Sequence, residues 1–213
     1  MIKAIIFDFD GVIAESNDIK KAAFARLFEK KGADIVKRVV DYHLNNSGVS
    51  RYEKFRFIYK EMLKKPLSDD RFNELCSDFS NLVVDGVVAA PFVKGAKEFL
   101  EQFSSTYECF VLSATPEEEL NNIITKRKIG TFFTKIYGAP AKKKDVVKNI
   151  SHEYHISPDE IVYIGDALSD YNAAIKNRVH FIARINNNET IFKGINCTKV
   201  KDLENLKDVL AKI

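Results

Sequence analysis

Little in this chain is extreme, and each scarcity removes a class of function. Cys76, Cys109 and Cys197 are the only cysteines in 213 residues, an odd set without paired spacing. They exclude a disulfide framework and a zinc site and predict reduced thiols in a cytoplasmic protein. The net charge is only +3, and no basic stripe is interleaved with aromatics, so nothing calls for a nucleic-acid partner. No stretch approaches the roughly twenty apolar residues of a membrane span. The apolar run at the amino terminus is broken by Asp8 and Asp10, so it does not read as a secretory signal. There is no low-complexity segment and no internal repeat. With 46% hydrophobic and 30% charged residues, the composition is that of a soluble globular protein. Its length suits one large domain or two small ones.

The most informative stretch is Ala4-Ile5-Ile6-Phe7-Asp8-Phe9-Asp10-Gly11. The apolar run is too short for a buried helix and is rich in β-branched and aromatic residues, so it predicts a central strand. Residues i and i+2 of a strand point the same way, so Asp8 and Asp10 should project together from its carboxyl end. That end is where open α/β sheets bind ligands. Two carboxylates on one face repel unless a cation sits between them.

Apolar residues then recur at helical spacing around Ile19–Phe28, Val36–His43, Tyr52–Leu63 and Phe72–Val83. Gly32, Asn45-Asn46-Ser47-Gly48 and Pro66 separate them, and Ser68 is placed to cap the fourth. Residues 15–89 therefore read as an all-helical subdomain inserted after the first strand. From Ala96 the chain alternates. A helix to Phe103 precedes a strand from Tyr107 to Leu112 that ends at Ser113. Thr115-Pro116-Glu117-Glu118 reads as the next helix start, with Thr115 as N-cap and Glu118 closing a capping box. A strand at Lys135–Tyr137, a helix through Val146 and Ile150, and a single helical turn at Ser157–Glu160 follow. A strand at Ile161–Ile164, a helix at Leu168–Lys176, a strand at His180–Ile185 and a helix from Asp202 complete the pattern. This predicts an α/β fold, with residues 1–14 and 90–213 forming a doubly wound, Rossmann-like parallel sheet.

A second acidic pair, Asp166 and Asp170, follows the strand Ile161–Ile164 as Asp8 follows the first. Spaced four apart at a helix start, the pair could simply suit the helix dipole. If the two strands are neighbours, four carboxylates converge, and a hard divalent cation with oxygen ligands, magnesium, fits them. Ser113 could hold a phosphate oxygen or cap its turn. Lys142-Lys143-Lys144 opens a helix at its amino end, against the macrodipole, so at least one of the three should face an anion. The polar loop Asn45–Arg51 ends in an arginine that either reads substrate or lies on the surface. His43, His152, His155 and His180 show no ligand-like grouping and read as structural.

Taken in order, Asp8-Phe9-Asp10-Gly11-Val12, Ser113, a lysine, and Gly165-Asp166 with Asp170 resemble the four motifs of the haloacid-dehalogenase-like superfamily. The helical insert falls where that superfamily carries its helical cap. Within it the chain resembles the phosphoglycolate-phosphatase and β-phosphoglucomutase branch. Gly138-Ala139-Pro140 followed by Lys143 matches the spacing of that branch best among the three lysines. Ala114 stands where many relatives carry asparagine, a departure that touches one substrate contact. An acid at position 10 argues against a dehalogenase or phosphonatase.

The resemblance implies a magnesium-dependent phosphatase acting on a small phosphorylated metabolite, or a sugar-phosphate mutase using the same motifs. A non-catalytic binding protein on the same fold is a third reading. It implies Asp8 as nucleophile and Asp10 as general acid and base. Asp8, the Asp10 carbonyl, Asp166 and Asp170 would hold the metal. Ser113, Ala114, Lys143 and, from the cap, Arg51 would contact the substrate.

Overall fold

The computed structural model describes residues 1–186 and 191–213. Six strands form one parallel sheet. They are β1 (Ala4–Phe7), β2 (Glu108–Pro116), β3 (Lys135–Ala139), β4 (Ile161–Gly165), β5 (His180–Arg184) and β6 (Thr198–Val200). Their order is β3-β2-β1-β4-β5-β6. The chain winds outward from β1 first in one direction and then in the other. The reversal opens a crevice at the carboxyl ends of β1 and β4, the usual ligand position in a doubly wound sheet. Phe7 pairs with Ile164 in register, so Asp8 and the residues after Ile164 emerge side by side.

Both faces of the sheet are buried, which is why β1 reads as continuous apolar sequence. Ile5 and Phe7 face a core completed by α5 (Ala96–Phe103), α6 (Glu117–Lys126) and α9 (Leu206–Leu210). Ala4 and Ile6 face the opposite core, against α7 (Lys143–Glu153) and α8 (Leu168–Asn177).

Between β1 and β2 lies the helical insert: α1 (Asn17–Phe28), α2 (Ala33–Asn45), α3 (Arg51–Phe57) continued by a π turn (Ile58–Met62), and α4 (Asp69–Ala89). Ser68 caps α4 by accepting from the Arg71 amide, as its sequence position predicts. Phe24, Phe55 and Phe79 pack against one another, with ring centroids 4.8–6.1 Å apart, and tie three of these helices together.

Two local expectations are corrected. Thr115 does not cap α6. The strand runs on through an irregularity between Leu112 and Pro116, and the helix begins at Glu117 without a side-chain cap. Thr115 is buried, and its hydroxyl bonds to groups of the crevice instead, so a tertiary partner displaces the local capping box. The terminal helix from Asp202 is only α9, and the short strand β6 precedes it. Pro158–Glu160 is the expected single turn, of 3-10 type. Among the described residues, no helix is long and apolar enough to cross a membrane.

Candidate active site

Asp8 leaves β1 buried, with its side chain 6% exposed. Its Oδ1 accepts from the Phe9 amide at 2.7 Å and its Oδ2 from Lys143 Nζ at 3.0 Å. Gly11 closes the following turn at φ +77°, and a Cβ there would lie 2.1 Å from Asp166 Oδ2. Only glycine lets the two strand ends approach this closely.

From β4, Asp166 accepts from Asn17 Nδ2 at 2.7 Å. Asp170 is fully buried at the first turn of α8. Its Oδ1 accepts from Lys143 Nζ at 2.5 Å and from the Tyr163 hydroxyl at 2.8 Å, and its Oδ2 from the Ala167 amide at 3.1 Å. Asp8, Asp166 and Asp170 each offer an oxygen within 4.8 Å of the others. The expected convergence of four carboxylates is thus a convergence of three, because the Asp10 side chain turns away. Three buried, hard oxygen donors at this spacing fit a divalent cation of the magnesium type.

Burial pushes the Asp8 carboxyl up to about 8, against the pull of Lys143 and helped by the neighbouring carboxylates. Burial, then the charge of Asp170, pushes Asp166 up to about 7. The Lys143 side chain is only 9% exposed, which opposes its charge, but Asp170 and Asp8 hold it well above the usual lysine value. An ammonium therefore sits among the carboxylates. Lys142 and Lys144 are exposed.

Asp10 faces the other side of the crevice. Its Oδ1 accepts from Ser16 Oγ at 2.6 Å. Its Oδ2 accepts from Lys20 Nζ, and from Thr115 Oγ1 at 3.2 Å. Burial alone would raise its carboxyl, but Lys20 and these hydroxyls outweigh it and hold the group below the ordinary value. Ser113 is buried inside β2 rather than ending it, and its Oγ accepts from the Thr115 amide at 3.1 Å. It thus braces its turn and also lines the crevice. Ala114 lines the crevice and offers no polar side-chain atom.

The helical insert closes over this site. A Cβ on Gly48 would lie 1.8 Å from Ser169 Oγ, so the loop before α3 is seated against the start of α8. Arg51 is the first residue of α3 and is 5% exposed. Its guanidinium grips Glu119 of α6 at 2.9 and 2.5 Å and meets Ser80 Oγ at 2.8 Å. Arg51 thus lines the cavity while its charge is engaged by the core. His43, read as structural, also lines the cavity and accepts from Lys54 Nζ at 2.9 Å. Asn17, Lys20, Lys54 and Thr115 also line the cavity, and none of them was singled out in sequence as a site residue.

A sequence model of the haloacid dehalogenase-like hydrolases matches residues 5–184. No curated protein matches the chain. Solved structures resemble it over nearly its full length. A β-phosphoglucomutase from Clostridium difficile is 22% identical, with 100% of this chain and 96% of that chain covered, at TM-score 0.79. A predicted phosphoglycolate phosphatase from Haemophilus somnus is 17% identical, with 98% of each chain covered, at TM-score 0.76. The magnesium-bound YfnB of Bacillus subtilis is 14% identical, with 99% of each chain covered, at TM-score 0.73. At these identities the likeness establishes the fold. The sequence match spans both aspartate-bearing strand ends and the lysine between them, and it places the chain in the haloacid dehalogenase-like hydrolase family.

Proposed function

We propose that the protein is a magnesium-dependent phosphatase that hydrolyses a small phosphorylated metabolite through an aspartyl-phosphate on Asp8. The observation that carries this reading is the pairing at the ends of β1 and β4. One carboxylate at the strand end lies beside a buried ammonium and two further carboxylates, and a second carboxylate two residues on is held separately by proton donors.

An oxygen of Asp8 attacks phosphorus, and the bond to the ester oxygen breaks. Asp10, free of a proton in the empty site, takes one as the negative charge of the bound phosphate opposes its own, and gives it to the departing alkoxide. Asp10 then takes a proton from water, the hydroxide attacks the phosphorus of the aspartyl-phosphate, and Asp8 and inorganic phosphate are released. Lys143 and Ser113 face the transferring group and hold its oxygens as charge spreads over them. Asp8, Asp166 and Asp170 would hold the metal. When bound, the cation neutralises these carboxylates and draws charge from the phosphoryl oxygens.

The cavity directly over the aspartates measures about 40 Å³. That admits water and no metabolite, since ligand sites run to about 300–1,000 Å³. Substrate therefore enters only when the helical insert lifts, and its return excludes bulk water from the aspartyl-phosphate. The insert acts as the cap. Arg51 belongs to it and would meet substrate only by exchanging Glu119 for an anion.

The test is release of phosphate from an aryl phosphate with and without magnesium, in wild type and in Asp8→Asn. Turnover should need the metal and vanish in the variant. Metal-independent turnover, or a variant within tenfold of wild type, would overturn the reading.

A further inference from the structure

The helical insert begins with two residues of the kinds that cap helices, Ser16 and Asn17, yet α1 has no side-chain cap. Both side chains bond to acids of the crevice instead. Ser16 Oγ donates to Asp10 Oδ1 at 2.6 Å, and Asn17 Nδ2 donates to Asp166 Oδ2 at 2.7 Å. The amides of the first turn are left without that local partner, so a tertiary bond has displaced the local one. Gly11 keeps the meeting point open. A Cβ there would lie 2.1 Å from Asp166 Oδ2 and 2.4 Å from Asn17 Nδ2.

The three carboxylates that fit a cation are not oriented alike. Asp8 is held by the Phe9 amide and Lys143, and Asp170 by Lys143, Tyr163 and the Ala167 amide. All of these donors belong to the sheet and the elements that flank it. Among the described residues, the Asp166 side chain accepts from Asn17 alone, and Asn17 is the first residue of the insert's first helix. Its amide carries no charge, so it fixes the carboxylate without cancelling the negative charge that a cation seeks. The chain crosses from sheet to insert just before this point, where the Glu15 amide donates to the Pro91 carbonyl at 2.9 Å. A rotation of the insert about that crossing carries Asn17 away from Asp166, and a hydrogen bond is lost once the gap passes about 3.5 Å.

We propose that Asn17 is a positioning residue for the cation, and that through it metal binding and closure of the insert favour each other. This rests on the metal site and the moving insert read above, and it adds the link between them. With the insert closed, Asn17 holds Asp166 beside Asp8 and Asp170. With the insert lifted, Asp166 loses that donor, and the cation loses the alignment of one ligand. Linkage makes the effect reciprocal: the factor that closure adds to metal affinity is the factor that the metal adds to closure. Groups that orient a metal ligand are worth about ten- to a hundredfold in affinity.

The experiment needs no substrate. Magnesium affinity is measured by calorimetry in wild type, Asn17→Leu and Asn17→Ala. Hydrogen exchange of the loop 46–50 between α2 and α3 is followed with no magnesium and with magnesium at saturation for each protein. That loop reports closure, because Gly48 sits against Ser169 of α8. Both variants should bind magnesium about ten- to a hundredfold more weakly. In wild type, magnesium should slow exchange of the loop by a similar factor, and in the variants the slowing should be lost. A residue that merely tethers the insert would change exchange in the metal-free protein and leave magnesium affinity alone. Variants within about threefold of wild-type affinity, or variants that keep the full slowing, would therefore overturn the proposal. So would a wild type that binds magnesium with no change in exchange, an outcome that decides the matter even if neither variant folds. Magnesium that does not bind wild type at all would instead sink the metal reading and this inference with it.

Discussion

Metal binding to this site should release protons, and the amount follows from the burial of its carboxyls. Asp8 and Asp166 are held at about 8 and about 7 because the charged forms are cut off from water. At pH 7 such groups carry between about one and one and a half protons together, and at pH 9 about a tenth of one. A cation takes carboxylates and not carboxylic acids, so those protons leave as it binds. Calorimetric titration with magnesium in two buffers of different ionisation heat reads the number directly. About one proton or more should be released at pH 7 and close to none at pH 9. The apparent affinity should rise about tenfold or more between pH 6 and pH 7 and level off above about pH 8.5. The same groups set the stability of the metal-free protein. Their native values lie above the ordinary carboxylate value, so the native state keeps protons that the unfolded chain has lost. Stability should fall as the pH rises from about 4 through 8, and saturating magnesium should flatten that slope. An affinity independent of pH between 6 and 8, with no protons released at pH 7, would refute the argument that these buried carboxyls are the ligands.

Three substitutions probe the rest of the site. Lys143→Ala removes the ammonium between Asp8 and Asp170 and should lower kcat by about a hundredfold or more on natural and aryl substrates alike, read by steady-state kinetics. Lys20→Met takes away the charge holding Asp10 down, so burial prevails, the acid keeps its proton to higher pH, and the alkaline limb of the kcat/KM profile should move to higher pH; an unmoved limb would remove Lys20 from control of that acid. Arg51→Ala strands Glu119, whose side chain is 8% exposed, and should cost about 3–5 kcal/mol in urea unfolding, most of it recovered when Glu119→Leu is added. Lifting the cap would also be easier in that variant, so KM for the natural substrate, rather than kcat, should carry the kinetic change.

What could be read without the fold was local. The run Ala4–Phe7, with both neighbours buried, is a β-branched and aromatic stretch whose end is marked by Asp8. The four helices of the insert announce themselves by spacing, because each buries one stripe and exposes another. Lys142, Lys143 and Lys144 were an electrostatic anomaly on paper, and only the position of α7 beside β1 shows why the middle one is needed. Thr115 was misread because Thr-Pro-Glu-Glu has the local grammar of a cap, while its hydroxyl is claimed by Lys20 from 95 residues away. Asn17, which bonds Asp166 across 149 residues, left no local signal at all. Lys54 left no local signal either, and its burial arises only where the helices of the insert pack together. Strand β6 is three residues long, two of them exposed, and has no apolar pattern to find.

The central claim is that Asp8 itself is phosphorylated during turnover. Rapid acid quench of wild type with substrate and magnesium, followed by peptide mass spectrometry, reads this directly. The account predicts one phosphoryl group on Asp8, labile to hydroxylamine as an acyl phosphate is, and none in Asp8→Asn. Turnover that leaves Asp8 unmodified at every quench time, with the phosphoryl group found on another residue, would contradict it.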